Sequence, residues 1–205
     1  MSGRHAIHNT PVSDGDILSQ LPIRDGHFLL ESGYHSNLWV TLDALFVDAT
    51  RVAPLVASLA QKLRAHDVTA VCGPMIGGAF LALAVARNLD RRFYFTIQQH
   101  ASADGLLTAE YVLPPELFRM VHGERVALVD DAISAGSSVR ASKAALDAAG
   151  AVTVVAGALI TFGVTGENYF KAQGIPVETL EHRDLAMWKP EECPLCRAGI
   201  PFERP

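Results

Sequence analysis

A chain of 205 residues, 49% hydrophobic and 19% charged, is long enough for one substantial core with at most a small appended subdomain. Its formal net charge of −5 and pI near 5.9 argue against a nucleic-acid backbone as the main partner, because such binding needs a basic face. No apolar run reaches membrane-spanning length and the opening MSGRHAIHN lacks a signal-peptide core, so no membrane partner is expected and a cytoplasmic location is the default.

In chain order, a helix is expected over residues 13–21, stopped by Pro22. Residues 27–43 read as extended chain broken by a turn at 32–36, a hairpin able to form a hood. An apolar helical pattern at 51–65 is introduced by Asp48 and Thr50. A strand at 70–72, a helix at 78–89 and a strand at 93–97 follow. Residues 97–110, polar and small at their centre, read as a mobile loop. The order then repeats: strand 126–129, helix 138–149, strand 153–160, helix 166–172, strand 177–180. No repeat, low-complexity tract or Gly/Ser linker divides the chain, so residues 1–205 are expected as a single domain. Its parts are a hood hairpin at about 20–45, a core at 48–185 and a C-terminal extension at 186–205. Such alternation implies an α/β fold, doubly wound around a mainly parallel sheet, with ligands at the carboxyl ends of the strands.

Two strand-to-helix junctions carry the chemistry. In ERVALVDDAISAGSSV, residues 124–139, an apolar run leads to Asp130 and Asp131. Ser134, Ala135, Gly136, Ser137 and Ser138 then crowd the turn that opens a helix. Free backbone N–H groups, the positive end of the helix dipole and the hydroxyls can hold a phosphate there, and Gly136 permits close approach. The acids would repel that phosphate but can accept hydrogen bonds from sugar hydroxyls. The bland alternative is a βα turn with a capped helix. The second junction is CGPMIGG, residues 72–78. Gly73, Pro74, Met75, Ile76, Gly77 and Gly78 offer a diphosphate their amides, or form only a tight turn in which Gly78 serves helix packing. Neither junction is a Walker loop, and the chain lacks Gly-x-Gly-x-x-Gly, which removes most support for nucleotide hydrolysis and nicotinamide chemistry.

The 124–139 segment resembles the phosphoribosyl-pyrophosphate (PRPP) motif of type I phosphoribosyltransferases, above all of the orotate enzymes. DGHFLLESGYHSNLWVTLD, with Gly-x-Phe-x-Leu-x-Ser-Gly at 26–33, resembles their opening hairpin, and residues 71–86 resemble their pyrophosphate strand and helix. The resemblance spans roughly residues 20–185 and implies transfer of ribose 5-phosphate from PRPP to a nitrogenous base. It implies that Asp130 and Asp131 position the ribose hydroxyls and stabilise charge on the ring, that residues 134–138 hold the 5-phosphate, and that residues 73–78 receive pyrophosphate. Trp39 would cover the base, although core packing is an equal reading of a single tryptophan. The resemblance further implies Mg2+ held through ligand and water rather than directly by protein, a loop closing over PRPP, and a homodimer.

Several departures bear on the reaction. No lysine or arginine occurs from residue 96 to 117, and Ile97, Gln98 and Ala101 stand where the orotate enzymes place basic residues. Gly77 replaces their pyrophosphate-loop lysine, Glu31 a basic residue, and Val164 an arginine. A departing pyrophosphate and the orotate carboxylate both need charged partners, and each lost charge-assisted contact costs about 1.5–3 kcal/mol, so orotate is predicted to be a poor substrate. Mg2+ would restore part of this, as would a contact from His100 turned inward, although a lone loop histidine is more simply read as solvated. The competing reading is a non-catalytic PRPP- or nucleotide-binding regulatory protein on the same fold. His5 and His8 read as surface residues of the tail, and Cys72 as a small buried apolar residue. Cys193 and Cys196 form half of a zinc site, which His182, another subunit's pair or a ligand not evident in the sequence would have to complete. A reduced structural turn is the simpler reading.

Overall fold

The computed structural model describes residues 23–30, 33–103 and 106–203, with backbone alone over 100–103 and 106–109. The expected helix at 13–21, and His5 and His8, lie outside these residues. A six-stranded sheet has the order β5-β4-β3-β6-β7-β8, with β3 (Ala70–Pro74), β4 (Arg92–Ala103), β5 (Leu106–Val112), β6 (Arg125–Ile133), β7 (Val152–Phe162) and β8 (Val177–Arg183). All neighbours pair in parallel except β4 with β5.

Chain order explains the layering. The path leaves β3 through α3 (Gly77–Leu89) toward β4, whereas β6 leads through α5 (Ser137–Ala148) to β7 and through α6 (Thr165–Lys171) to β8, in the opposite direction. Right-handed crossovers running in opposite directions place their helices on opposite faces. On one face α3 and α2 (Ala49–Leu63) cover the sheet. Val52, Leu55, Val56, Leu59 and Leu63 form an apolar stripe of α2 against Val129, Val155 and Leu159. On the other, Val139 and Leu146 of α5 and Phe170 of α6 pack on Leu128, Ile133 and Ala156. The expected helix start at Asp48 is present: its Oδ1 accepts from the backbone N–H groups of Thr50 (2.9 Å) and Arg51 (3.3 Å).

The expected hood also forms. β1 (Ile23–Leu29) and β2 (His35–Val40) pair antiparallel with a bulge between Asp25 and Phe28. Short helix α1 (Asp43–Phe46) leads from the hood to α2. A strand absent from the expectations, β9 (Met187–Trp188), adds to β2, so the C-terminal extension becomes part of the hood.

Three expectations are corrected. Residues 97–110 are not a loop: β4 runs on to Ala103 and returns as β5, in register from Ile97↔Val112 to Ala103↔Leu106. Backbone pairing supplies this ladder without the apolar alternation that would have announced it. His100 pairs with Ala109 there, and its side chain lies outside the described residues. Asp130 and Asp131 do not end their strand, because β6 continues to Ile133 on the support of β7 (Asp130↔Ala158, Ala132↔Ile160). His182 does not complete a site with Cys193 and Cys196; on β8 it meets Thr161 (3.0 Å) and Glu167 (3.1 Å). A further helix, α4 (Pro115–Met120), precedes β6, and α7 (Pro194–Arg197) follows β9. Among the described residues no helix is long and apolar enough to cross a membrane.

Burial sets the order of two stability effects. Asp48→Ala removes an exposed cap and should cost about 1 kcal/mol, whereas Leu59→Ala, at a fully buried position, should cost about 2–5 kcal/mol. Urea denaturation of both variants checks the ranking, which is wrong if the two midpoints shift equally.

Candidate active site

The sheet changes direction between β3 and β6. These strands pair only over Ala70↔Val126 to Cys72↔Leu128, after which β3 turns into α3 while β6 carries its two acids onward beside β7. A crevice must open where two strands end their pairing and their helices leave to opposite faces. It does: a cavity of about 370 Å³ lies there, floored by Asp130 and Asp131.

The structure brings both sequence junctions and the hood to this cavity. Pro74, Met75, Ile76 and Gly77 line one side, Ser134, Gly136, Ser137 and Ser138 another, and Trp39 a third. Gly73, Gly78 and Ala135 stand behind these walls, the alanine almost fully buried. The peptide bond between Met75 and Ile76 is cis. Trp39 is half-buried and tilted against Phe28 with ring centroids 6.0 Å apart, so it is a wall of the cavity rather than a core residue. Cys72 is fully buried, which pushes its thiol up to about 12, in keeping with an inert packing residue.

Close approach of backbone to acid explains the paired glycines. A Cβ on Gly77 would collide with the Asp131 carboxylate, and one on Gly78 would lie 2.5 Å from Asp130 Oδ1 and 2.7 Å from Pro74 Cδ. A Cβ on Gly73 would strike the Gly78 carbonyl. In the other turn, Gly136 has φ +76° at the N-cap of α5, a left-handed conformation that glycine adopts without strain. The Gly166 N–H donates to the Ser134 carbonyl (3.0 Å), fastening this turn from behind. The first N–H groups of α5 have no partner within the helix and are available at the cavity.

The acids are individually held. Asp130 Oδ2 accepts from the Ser138 hydroxyl (2.7 Å), and its Oδ1 from the Asp131 N–H (3.0 Å). Asp131 Oδ1 accepts from the Ala132 N–H (2.7 Å). Burial raises the Asp130 carboxyl well above the usual carboxylate range, and Asp131 beside it adds to the rise. Burial also raises Asp131, to which the Asp43 carboxylate contributes. Asp43 lines the cavity from the start of α1 and went unsingled in the sequence, where an acid opening a short helix is unremarkable. Tyr111, Phe162 and Leu185 are further lining residues without a motif to mark them. No lysine or arginine is among the described lining residues, and Val164 is exposed outside the cavity.

Comparison with known proteins agrees with this architecture. The phosphoribosyl transferase domain matches residues 46–177. The orotate phosphoribosyltransferase of Thermotoga maritima is 34% identical over 183 residues, covering 89% of this chain and 91% of that protein. Among solved structures, the orotate phosphoribosyltransferase of Aeropyrum pernix superposes with a TM-score of 0.60 at 22% identity, covering 78% of this chain and 87% of the other. That of Mycobacterium tuberculosis in complex with PRPP gives a TM-score of 0.60 at 16% identity, covering 82% and 93%.

The raised carboxyl of Asp130 makes a signed prediction. Between the ordinary value of 3.8 and its folded-state value, the folded protein keeps a proton that the unfolded chain has lost, so stability falls as pH rises through that window. Asp130→Asn removes the penalty and should stabilise the protein at neutral pH by about 0.5–2 kcal/mol. The gain should vanish as pH approaches 3.8. Thermal melts across that pH range test it, and a variant less stable than the parent at neutral pH would show that burial of the charge is not the governing cost.

Proposed function

The chain belongs to the phosphoribosyltransferase family, and from that we propose that it transfers the 5-phosphoribosyl group of PRPP to a ring nitrogen of a base, releasing pyrophosphate, within nucleotide metabolism. The carrying observation is the convergence of the acid pair, the turn from Pro74 to Gly77 and the small-residue turn on one cavity.

The 5-phosphate is assigned to the amides of residues 134–138 and the hydroxyls of Ser134 and Ser137. Ser138 has its hydroxyl proton committed to Asp130 and offers its backbone N–H. Pyrophosphate is assigned to the turn from residue 73 to 78. Asp130 and Asp131 receive the ribose hydroxyls. As the bond from the anomeric carbon to pyrophosphate lengthens, its electron pair leaves with pyrophosphate, and the ring becomes cationic beside two carboxylates. The base nitrogen then donates its lone pair to that carbon and later sheds its proton. Leu38, Trp39 and Phe162 supply apolar surface for the base.

Mg2+ fits this donor set. Asp43, Asp130 and Asp131 face the cavity without a lining cation, yet among the described residues they do not converge as a three-ligand cluster. That arrangement suits a hydrated ion carried on the diphosphate, where its charge stabilises the leaving group. The relatives' names point to orotate, but its carboxylate meets no lysine or arginine among the described lining residues, which places it below uncharged bases. Exposed Phe80 and Leu83, both on α3, support a homodimer, and a cytoplasmic enzyme is the setting we assign.

Pyrophosphate release measured with Mg2+, PRPP and a panel of orotate, uracil, hypoxanthine and adenine tests this reading. Base-dependent release is expected, and Asp130→Asn with Asp131→Asn should lower it by about 10²–10³-fold. The shortage of cations favours one rival, a PRPP-binding regulator. PRPP binding by calorimetry with no release for any base would establish that rival, and absence of binding would overturn both. Gly77→Ala, which drives a methyl into Asp131, should weaken PRPP binding at least about tenfold, and unchanged affinity would show that the close approach is dispensable.

A further inference from the structure

Outside the catalytic cavity, the hood contains a second cluster of chemically competent side chains. His27 of β1, His35 of β2, Cys193 and Cys196 each direct one ligand atom into a common space, with all four atoms within 4.8 Å of one another. His27, His35 and Cys193 are buried, at 1%, 5% and 0% exposure, and Cys196 closes the outer side. We propose that these four residues bind a structural Zn2+ ion that clasps the C-terminal extension to the hood.

Four of the six ligand-to-ligand spacings match those of a tetrahedron. An ion with Zn–S of about 2.3 Å and Zn–N of about 2.0–2.1 Å separates its ligand atoms by about 3.3–3.8 Å. The observed edges are 3.4 Å for His27 Nε2 to His35 Nδ1, 3.4 Å for Cys193 Sγ to His27 Nε2, 3.7 Å for Cys196 Sγ to His27 Nε2, and 3.3 Å for Cys196 Sγ to His35 Nδ1. The tautomer is prepared as well. His27 Nδ1 lies 2.7 Å from the Ile200 carbonyl oxygen, which can only accept, so the ring donates there and in its neutral form turns the lone pair of Nε2 inward. Two thiolates with two neutral imidazoles select Zn2+ by softness and geometry, and the ion neutralises both charges in this buried place.

The site also answers a packing problem. Within β1 only His27 and Phe28 are buried, and β9 is two residues long, so the hood sheet has little apolar core of its own. Phe202 lies tilted against His27 and meets His35 edge-on, with centroids 4.1 and 4.7 Å away. The Glu203 N–H donates to the His27 carbonyl (2.7 Å), and the Glu203 carboxylate lies so close over β1 that a Cβ on Gly26 would be 2.6 Å from it. A metal bond at this point substitutes for missing hydrophobic burial.

Metal analysis of the purified full chain, expressed with zinc in the medium, should find about one zinc per chain. Co2+ added to the chelator-stripped, reduced protein should give the visible d–d bands and thiolate charge-transfer of tetrahedral coordination. Cys196→Ser, at the outer ligand, should lower zinc retention by about tenfold or more. Both tryptophans of the chain, Trp39 and Trp188, lie in the hood sheet, so stripping zinc should change their fluorescence and zinc addition restore it. Wild-type protein that holds no zinc and gives no tetrahedral Co2+ spectrum when reduced would overturn the proposal, whether its thiols are free or joined. If Cys196→Ser is insoluble, the cobalt spectrum of the wild type decides.

Discussion

Asp130 and Asp131 occupy the point where the sheet divides, and every other part of the site is arranged around the cost of keeping two carboxylates there. They are taken from water, set side by side and faced by Asp43, all of which disfavours ionisation. Hydrogen bonds from Ser138 and from the local amides offset part of that cost without a counter-ion. Only backbone can come close enough to complete the enclosure, which is why Gly77 and Gly78 lie against the acids. A sugar bearing several hydroxyls, or a ring turning cationic, supplies what the protein itself withholds. The unliganded site is therefore destabilised in the sense that matters for recognition: its carboxylates gain most from a ligand that develops positive charge between them.

The same constraint links the two sides of the sheet. Because β3 stops pairing with β6 at Cys72↔Leu128, the acids are reached from the crevice, while β7 continues to hold β6 from its other side. Ser138 joins the phosphate turn to Asp130 through a single hydrogen bond, so displacement of α5 would be felt at the acid. Gly166 ties that turn to α6. In the proposed reading the turn that takes phosphate and the acids that take ribose thus share a scaffold, as they must if one substrate spans both.

Much of this was legible in the sequence where local chemistry and global packing agree. The apolar run ending in two acids, followed by Ser-Ala-Gly-Ser-Ser, marked a strand, a polar floor and a helix N-terminus, and the structure contains all three. Gly77 and Gly78 signalled a close approach, though not that the approached groups would be Asp131 and Asp130, more than fifty residues away. What escaped was set by pairing and tertiary placement. The ladder from Ile97 to Val112 pairs a β4 half that is polar and small from Gln98 to Ala103, Asp43 gains its importance only by facing Asp131, and β9 exists because a late segment returns to β2. The CxxC was visible, but its partners were two histidines whose alternation in a hairpin looked like ordinary strand pattern.

The family domain covers residues 46–177, whereas Leu38 and Trp39 before it and Leu185 after it lie outside that span and line the cavity. Under the proposed assignment, PRPP chemistry belongs to the shared sheet, and one wall of the space left for the base belongs to the hood. That wall has little apolar core to fix it, since β1 buries only His27 and Phe28 and β9 contributes two residues. His35 and Trp39 are four residues apart on the same strand, so whatever fixes the imidazole also limits where the indole can stand. The C-terminal segment reaches that strand through β9, Phe202 and the cysteines, which makes the end of the chain a determinant of the base side of the cavity although it touches neither phosphate turn. With no lysine or arginine among the described lining residues, the proposed transfer would have to discriminate among bases by shape and apolar surface, and shape can discriminate only if the hood is held in place.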